Sequence, residues 1–127
     1  MLGYWRRPEA TAEKLVPSDR PGERMLKTHD LFIRDADGLL HFVSRRDDVI
    51  NRGGVKVAPT AVEEAIGAVD GVVEAAVVGV QGGPLGETLR AYVVRRQAGH
   101  PSAVTIKKAV ASRLDAHHVP QDVQFLD

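Results

Sequence analysis

Apolar residues in the first third of the chain form short groups separated by turn-forming residues. Residues 8–15 predict a short helix, because proline is favoured in a first helical turn. Residues 16–23 contain two prolines and a glycine and predict an exposed connecting loop. Residues 31–33 and 39–43 flank an Asp-Gly pair, which predicts a β-hairpin. This part of the chain therefore predicts small, local elements.

From residue 49 onward, the apolar pattern predicts alternating strands and helices. The predicted strands are short apolar segments bounded by turn-forming residues, and they cover residues 49–50, 55–57, 72–80, 89–94 and 123–126. The predicted helices cover residues 60–68, after Pro59, and the segment from an N-cap at Ser102 to about residue 116. Residues 81–87 predict a loop. The order predicts an α+β fold, with helices flanking a small mixed β-sheet.

Five polar or charged residues, Ser44-Arg45-Arg46-Asp47-Asp48, separate these two parts. Such a run between apolar segments is typical of a solvent-exposed joint, although a charge cluster with no mechanical role has the same pattern. We therefore predict a β-hairpin appendage over residues 1–44, a hinge over 45–48 and an α+β domain over 49–127.

Composition narrows the classes of partner. Lys plus Arg and Asp plus Glu both number 17, so there is no net positive field for nucleic acid or an anionic membrane. The apolar stretch at 72–80 is far shorter than the roughly 20 residues of a membrane helix. Cysteine is absent, which fits a cytoplasmic location. His117 and His118 are adjacent and therefore point in different directions, so we predict no metal site.

Several segments carry a family resemblance. Residues 3–11 read Gly-Tyr-Trp-Arg-Arg-Pro-Glu-Ala-Thr, residues 28–30 Thr-His-Asp, residues 45–47 Arg-Arg-Asp and residues 52–57 Arg-Gly-Gly-Val-Lys-Val. In this order, and with the strand at 71–80 and Leu-Gly-Glu at 85–87, they resemble the C-terminal part of the adenylate-forming superfamily. That superfamily includes acyl- and aryl-CoA ligases, peptide-synthetase adenylation domains and luciferases.

The resemblance implies roles for eight residues. Asp30 and Arg45 would bind the nucleotide, with Asp30 on the ribose hydroxyls, and Asp47 would be the hinge. A loop that lines the coenzyme A channel would comprise Arg52, Gly53, Gly54, Val55 and Lys56. From the residues alone, an ordinary hairpin turn is the favoured interpretation of Gly53-Gly54, and a polar residue that starts a strand is the alternative interpretation of Asp30. His29 stands where the family has glycine, and Ser44 replaces the glycine of the hinge motif.

The implied function is formation of an acyl- or aryl-CoA thioester together with an adenylating N-terminal domain or subunit. ATP and Mg²⁺ would be bound mainly by that N-terminal domain, and coenzyme A would be the co-substrate. A carrier protein is a further candidate partner; nucleic acid and membrane are not expected.

The family places a catalytic lysine in a Pro-x-x-x-x-Gly-Lys context near its C-terminus. Residues 118–127 resemble the segment that precedes it, and the printed sequence contains no such lysine. We therefore assign no catalytic residue and expect no activity from the chain alone. Either the sequence continues further, or the protein is a stand-alone binding or regulatory module that docks on an adenylating or carrier protein.

Overall fold

A computed structural model describes residues 1–84 and 86–126. Over these residues the chain forms three α-helices and nine β-strands arranged in three sheets. Leu85 and Asp127, which belong to the predicted loop and to the end of the predicted domain, lie outside the described residues.

The first part of the chain contains a helix and two small antiparallel sheets. Helix α1 covers Pro8–Lys14, strands β1 (Leu15–Pro17) and β2 (Arg24–Leu26) pair with each other, and strands β3 (Asp30–Arg34) and β4 (Leu40–Arg45) form the predicted hairpin. The loop prediction at 16–23 was wrong at its start. Val16 and Pro17 lie in β1, because pairing with β2 holds them extended, and a distant partner leaves no local signal.

The β3–β4 hairpin is closed by a polar turn and a pair of aromatic rings. Asp35 Oδ1 accepts hydrogen bonds from the backbone N–H groups of Asp37 at 3.0 Å and Leu39 at 2.9 Å. The rings of Phe32 and Phe42 meet edge to face across the strands, with centroids 5.8 Å apart. Gly38 has φ +85°, which glycine adopts without strain.

The joint between the two parts is a single turn of 3-10 helix, Arg46–Asp48. Ser44, two residues before this turn, corrects the prediction of a solvent-exposed joint, since it is only 1% exposed. Its hydroxyl donates to the Arg45 carbonyl at 3.1 Å, and the Thr60 hydroxyl of the next helix donates to the carbonyl of Val43. Packing between β4 and that helix therefore buries the start of the joint.

The second part is a five-stranded mixed sheet with two helices. Its elements are β5 (Ile50–Arg52), β6 (Val55–Val57), α2 (Pro59–Gly67), β7 (Val72–Gly83), β8 (Gly86–Arg95), α3 (Ala103–Arg113), a 3-10 turn (Ala116–His118) and β9 (Asp122–Phe125). The strand order is β6-β5-β8-β7, and β9 pairs with β8 in parallel. The predicted α+β class and mixed sheet are confirmed.

The largest differences from prediction in this part concern the β7–β8 loop and the end of α3, and the other boundaries agree to within two residues. Most of the loop predicted at 81–87 belongs to strands, because cross-strand pairs such as Gln81 with Glu87 extend the β7–β8 ladder. Helix α3 ends at Arg113, short of residue 116, since Leu114 is already extended with φ −129° and ψ 165°. Its start is as predicted, because Ser102 Oγ accepts a hydrogen bond from the Thr105 N–H at 3.2 Å.

The hydrophobic core lies between the sheet and helices α2 and α3. Its buried members are Ile50, Val57, Val62, Ala65, Ile66, Val72, Val77, Leu89, Ala91, Val93, Ile106 and Val110. All of them come from elements after the joint. Within the described part of the chain, no helix has the length and apolar character needed to cross a membrane.

Candidate functional site at the joint

The two residues predicted to bind a nucleotide face each other at the end of the β3–β4 hairpin. Asp30 and Arg45 are register partners in the antiparallel ladder. Arg45 Nε lies 3.9 Å from Asp30 Oδ1, and both side chains are partly exposed. The pairing places a carboxylate and a guanidinium side by side, where the carboxylate can accept from hydroxyl groups and the guanidinium can meet an anion.

The predicted hinge residue joins the same cluster. Asp47 Oδ2 lies 3.3 Å from Nδ1 of His29, and Lys14 Nζ, from the end of α1, lies 3.3 Å from Nδ1 and 3.4 Å from Nε2 of the same ring. The sequence had singled out His29 only as a substitution for glycine. Lys14 was missed, because only the tertiary fold brings α1 to the joint.

A cleft of about 500 Å³ opens beside this cluster. Its walls are Glu13, Lys27, Thr28, His29, Asp30, Leu31 and Arg46. The lining contains two carboxylates, Glu13 and Asp30, which can accept hydrogen bonds, and two cations, Lys27 and Arg46. Such a lining suits a polar ligand that carries both hydroxyl groups and negative charge.

A second cleft, of about 580 Å³, separates the joint from the five-stranded sheet. Arg45 and Asp47 line it from the joint, Glu63 lines it from α2, and Glu87 lines it from β8. Both glutamates already serve the fold, since Glu63 Oε1 accepts the Val77 N–H at 2.8 Å and Glu87 Oε2 accepts the Asn51 N–H at 2.7 Å. The side chains of Arg45 and Asp47 therefore border this second cleft, on the side of the joint that faces the five-stranded sheet.

The loop predicted to line the coenzyme A channel, residues 52–56, forms the tip of the β5–β6 hairpin. Gly53 has φ +60° and Gly54 has φ +87°, the positive pair that a two-residue hairpin turn of type I′ requires. The turn thus accounts for both glycines without any ligand. Both are exposed, and a Cβ atom placed on Gly54 would meet no atom of the described chain within 4 Å. The tip therefore projects into open space that another molecule or domain could fill.

The side chains around this tip divide into two groups. Arg52 Nη1 donates to the carbonyls of His117 at 2.8 Å, Val119 at 3.0 Å and Ala116 at 3.3 Å, so its guanidinium ties the hairpin to the 3-10 turn near the C-terminus. Val55 packs against the core. Lys56 is exposed and free to reach away from the domain.

The histidine pair near the C-terminus forms hydrogen bonds with a neighbouring carboxylate. His118 Nδ1 lies 2.8 Å and His117 Nδ1 3.5 Å from Asp115 Oδ1. The hydrogen bond from His118, followed by that from the His117 N–H, lowers the pKa of Asp115. Across residues 1–84 and 86–126, no three His, Cys, Asp or Glu side chains group in a way that could hold a metal ion.

Comparison with known proteins identifies the family. The protein-family model named AMP-binding enzyme C-terminal domain matches residues 61–127. The chain belongs to this family. Sulfoacetate–CoA ligase of Cupriavidus necator is 32% identical over 126 residues, which is 99% of this chain and 24% of the relative. The chain thus spans about a quarter of that ligase.

Solved structures agree with this assignment. Amide bond synthetase McbA of Marinactinospora thermotolerans matches with a TM-score of 0.84 and 35% identity, over 98% of this chain and 24% of McbA. ATP-bound MatB of Rhodopseudomonas palustris matches with a TM-score of 0.82 and apo MatB with 0.69, each at 34% identity over 98% of this chain and 24% of MatB. The two MatB structures therefore match this chain to different extents.

Proposed function

We propose that this chain works as the C-terminal domain of an ATP-dependent acyl- or aryl-CoA ligase. An adenylating N-terminal domain, in the same polypeptide or as a separate subunit, would join a carboxylate to ATP and release pyrophosphate. The thiol of coenzyme A would then attack the acyl adenylate, forming the thioester and releasing AMP. Family membership and the relatives that are CoA ligases support this proposal. A carrier-protein thiol is the alternative acceptor.

Family membership carries the proposed function, and the pair of MatB comparisons supports a movable joint within it. This chain aligns better with the ATP-bound structure, at 0.82, than with the apo structure, at 0.69. A rotation at the joint between the hairpin and the five-stranded sheet would account for such a difference in one protein. We assign Asp47 as the hinge residue, because a few backbone dihedral angles at an exposed junction can absorb a large rotation.

Asp30 and Arg45 form the nucleotide-binding part of this proposal. The Asp30 carboxylate would accept hydrogen bonds from the ribose hydroxyls, and Arg45, whose Nε lies 3.9 Å from Asp30 Oδ1, would meet the phosphates. Among the described residues, no three His, Cys, Asp or Glu side chains group in a way that could hold a metal ion. We assign the ion that accompanies ATP to the N-terminal domain.

The β5–β6 tip is proposed to line the path of the coenzyme A thiol. Its glycines present bare backbone, and the open space beyond Gly54 allows a ligand to approach closely. Its contribution would be positioning: holding thiol and acyl adenylate together lowers the entropy cost of their reaction. Arg52 would fix the tip through its bonds to the C-terminal turn.

The test is Gly54→Leu in a hybrid in which this chain replaces the matching segment of MatB, and the MatB residues after that segment, where the family places its catalytic lysine, are retained. Leucine at φ +87° strains the turn, and its side chain would occupy the open space in front of the tip. We expect pyrophosphate release to change less than twofold and thioester formation to slow about tenfold or more, both relative to the unsubstituted hybrid.

The matched control is Gly99→Leu in the same hybrid. Gly99 has φ +84° and equally open surroundings, so the variant carries similar backbone strain away from the tip. It should leave both steps unchanged. Equal loss of both steps in Gly54→Leu, or no effect on either step, would contradict the positioning role. An unsubstituted hybrid that releases pyrophosphate but forms no thioester would favour a non-catalytic module.

A further inference from the structure

His29 has a backbone conformation that is costly for a residue with a side chain. Its φ of +64° lies in the left-handed region, which glycine adopts freely and a Cβ atom disfavours. Strain of this kind persists where the side chain makes a contact that outweighs it. The contacts of the His29 side chain therefore indicate which interaction the strained backbone conformation supports.

The side chain of His29 bridges the first part of the chain to the joint. Its Nδ1 lies 3.3 Å from Asp47 Oδ2, and its ring is only 21% exposed while the Asp47 side chain is 64% exposed. The backbone of His29 adds a second link, because its carbonyl accepts the Arg46 N–H at 2.7 Å. That backbone link ends one residue before Asp47. The ring contact is therefore the one of these two that restrains Asp47 itself.

The charged groups around the ring favour this orientation of the carboxylate. Lys14 approaches both ring nitrogens from α1 and is itself held by Glu13 at 3.3 Å. Lys27, Asp30 and Arg46 line the adjoining cleft. The carboxylate of Asp47 thus faces an imidazole backed by a lysine cation, and attraction to both groups opposes its movement away.

We propose that His29 is a positioning residue, which holds the Asp47 carboxylate and thereby restrains rotation between the β3–β4 hairpin and the five-stranded sheet. The inference deepens the proposed function, because it rests on the hinge role of Asp47. The restraint on the hinge would act through the contact between His29 Nδ1 and Asp47 Oδ2.

The test measures the relative orientation of the two parts in the full chain. The chain lacks cysteine, so cysteines introduced at Ala36, on the exposed hairpin tip, and Lys108, on the exposed side of α3, carry spin labels at unique sites. Distance distributions between the labels are recorded for the parent chain and for His29→Gly, His29→Ala and His29→Asn. Urea unfolding of each variant monitors overall stability.

The three variants separate strain from contact. His29→Gly removes both, and His29→Ala removes the contact and keeps the strain. His29→Asn keeps a nitrogen donor close to the position of Nδ1 on a residue that tolerates positive φ. We expect His29→Gly and His29→Ala to increase the minor orientations about two- to fivefold, the range for a partly exposed pair, and His29→Asn to match the parent.

Other results would overturn the proposal. A parent-like distribution in His29→Gly, or broadening in His29→Ala alone, would mean that the ring does not restrain Asp47. Broadening in His29→Asn equal to that in His29→Gly would also reject it, because the Nδ1 contact would then be irrelevant. Asp47→Ala should broaden the distribution as His29→Gly does, with no further change in the double variant. If these tests fail while Gly54→Leu still separates the two steps, the restraint is wrong and the proposed function stands.

Discussion

At the scale of single residues, Asp35 shows how one carboxylate organises a hairpin tip. It accepts two backbone N–H groups, and its Oδ2 lies 2.6 Å from Nε2 of His41. The hydrogen bond from His41 is the largest cause of a lowered pKa of Asp35, followed by the bond from the Leu39 N–H. The folded chain therefore favours the charged carboxylate.

The lowered pKa gives a stability effect with a defined pH direction. A carboxyl whose folded pKa lies below its unfolded value of about 3.9 stabilises the fold above that value, and the effect disappears as the pH falls through the folded pKa. Asp35→Asn should therefore destabilise the chain to urea at pH 7, and the difference from the parent should shrink below about pH 4.

Asp37→Asn is the control for this prediction. Asp37 lies in the same turn, and its exposed carboxylate makes no side-chain hydrogen bond or ion pair within the described residues. Its substitution should leave urea stability close to that of the parent at both pH values. A pH-independent loss in Asp35→Asn would show that the charge of Asp35 is not the stabilising feature.

At the scale of elements, α2 protects the free edge of the five-stranded sheet. Within the described residues, strand β7 is at the end of the sheet order, so half of its backbone groups lack a strand partner. Glu63, on α2, accepts one of these, the Val77 N–H, at 2.8 Å. At this position, a side chain of α2 thus provides the acceptor that a neighbouring strand would otherwise provide.

Removing this acceptor should destabilise the second part of the chain. Glu63→Ala leaves the Val77 N–H unpaired and should cost about 1–2 kcal/mol in urea unfolding, whereas Glu63→Gln keeps an acceptor oxygen and should cost less. Glu64→Ala, on the exposed neighbouring position of α2, is the control and should change stability by less than about 0.5 kcal/mol. Equal effects of Glu63→Ala and Glu64→Ala would contradict the edge-protecting role.

At the scale of the whole molecule, the stability of the two parts comes from different sources. Among the described residues, the main core cluster lies after the joint, and its member Ile66 is 0% exposed, whereas Leu15, in β1, is buried outside that cluster. The β3–β4 hairpin exposes large apolar side chains on both strands, including Ile33 at 63% and Leu40 at 63%. We expect local opening to differ between the two parts.

Ile66→Ala tests this difference. Loss of the buried side chain should cost about 2–5 kcal/mol, because a cavity remains. Hydrogen exchange should show reduced protection in β7 and β8, with little change in the β3–β4 hairpin. Val78→Ala, at a position 43% exposed, should change protection little in either part. A uniform loss over both parts would show that the chain unfolds as one unit.

The sequence by itself determined the elements whose signals are local. The two hairpin turns, the Ser102 cap and the start of α2 after Pro59 depend on residues close in the chain, and the structure has each of them where predicted. The α+β class follows from their order. Family membership could also be predicted, because the motifs lie in short segments.

The tertiary structure decided what depends on partners distant in the chain. Pairing with β2 made a strand of the first two residues of a predicted loop, and packing of α2 against β4 buried Ser44. Folding also brought Lys14 to His29 and turned Arg52 towards the C-terminal turn. Contacts between residues far apart in the chain leave no periodic trace in either segment, so only the folded chain could assign them.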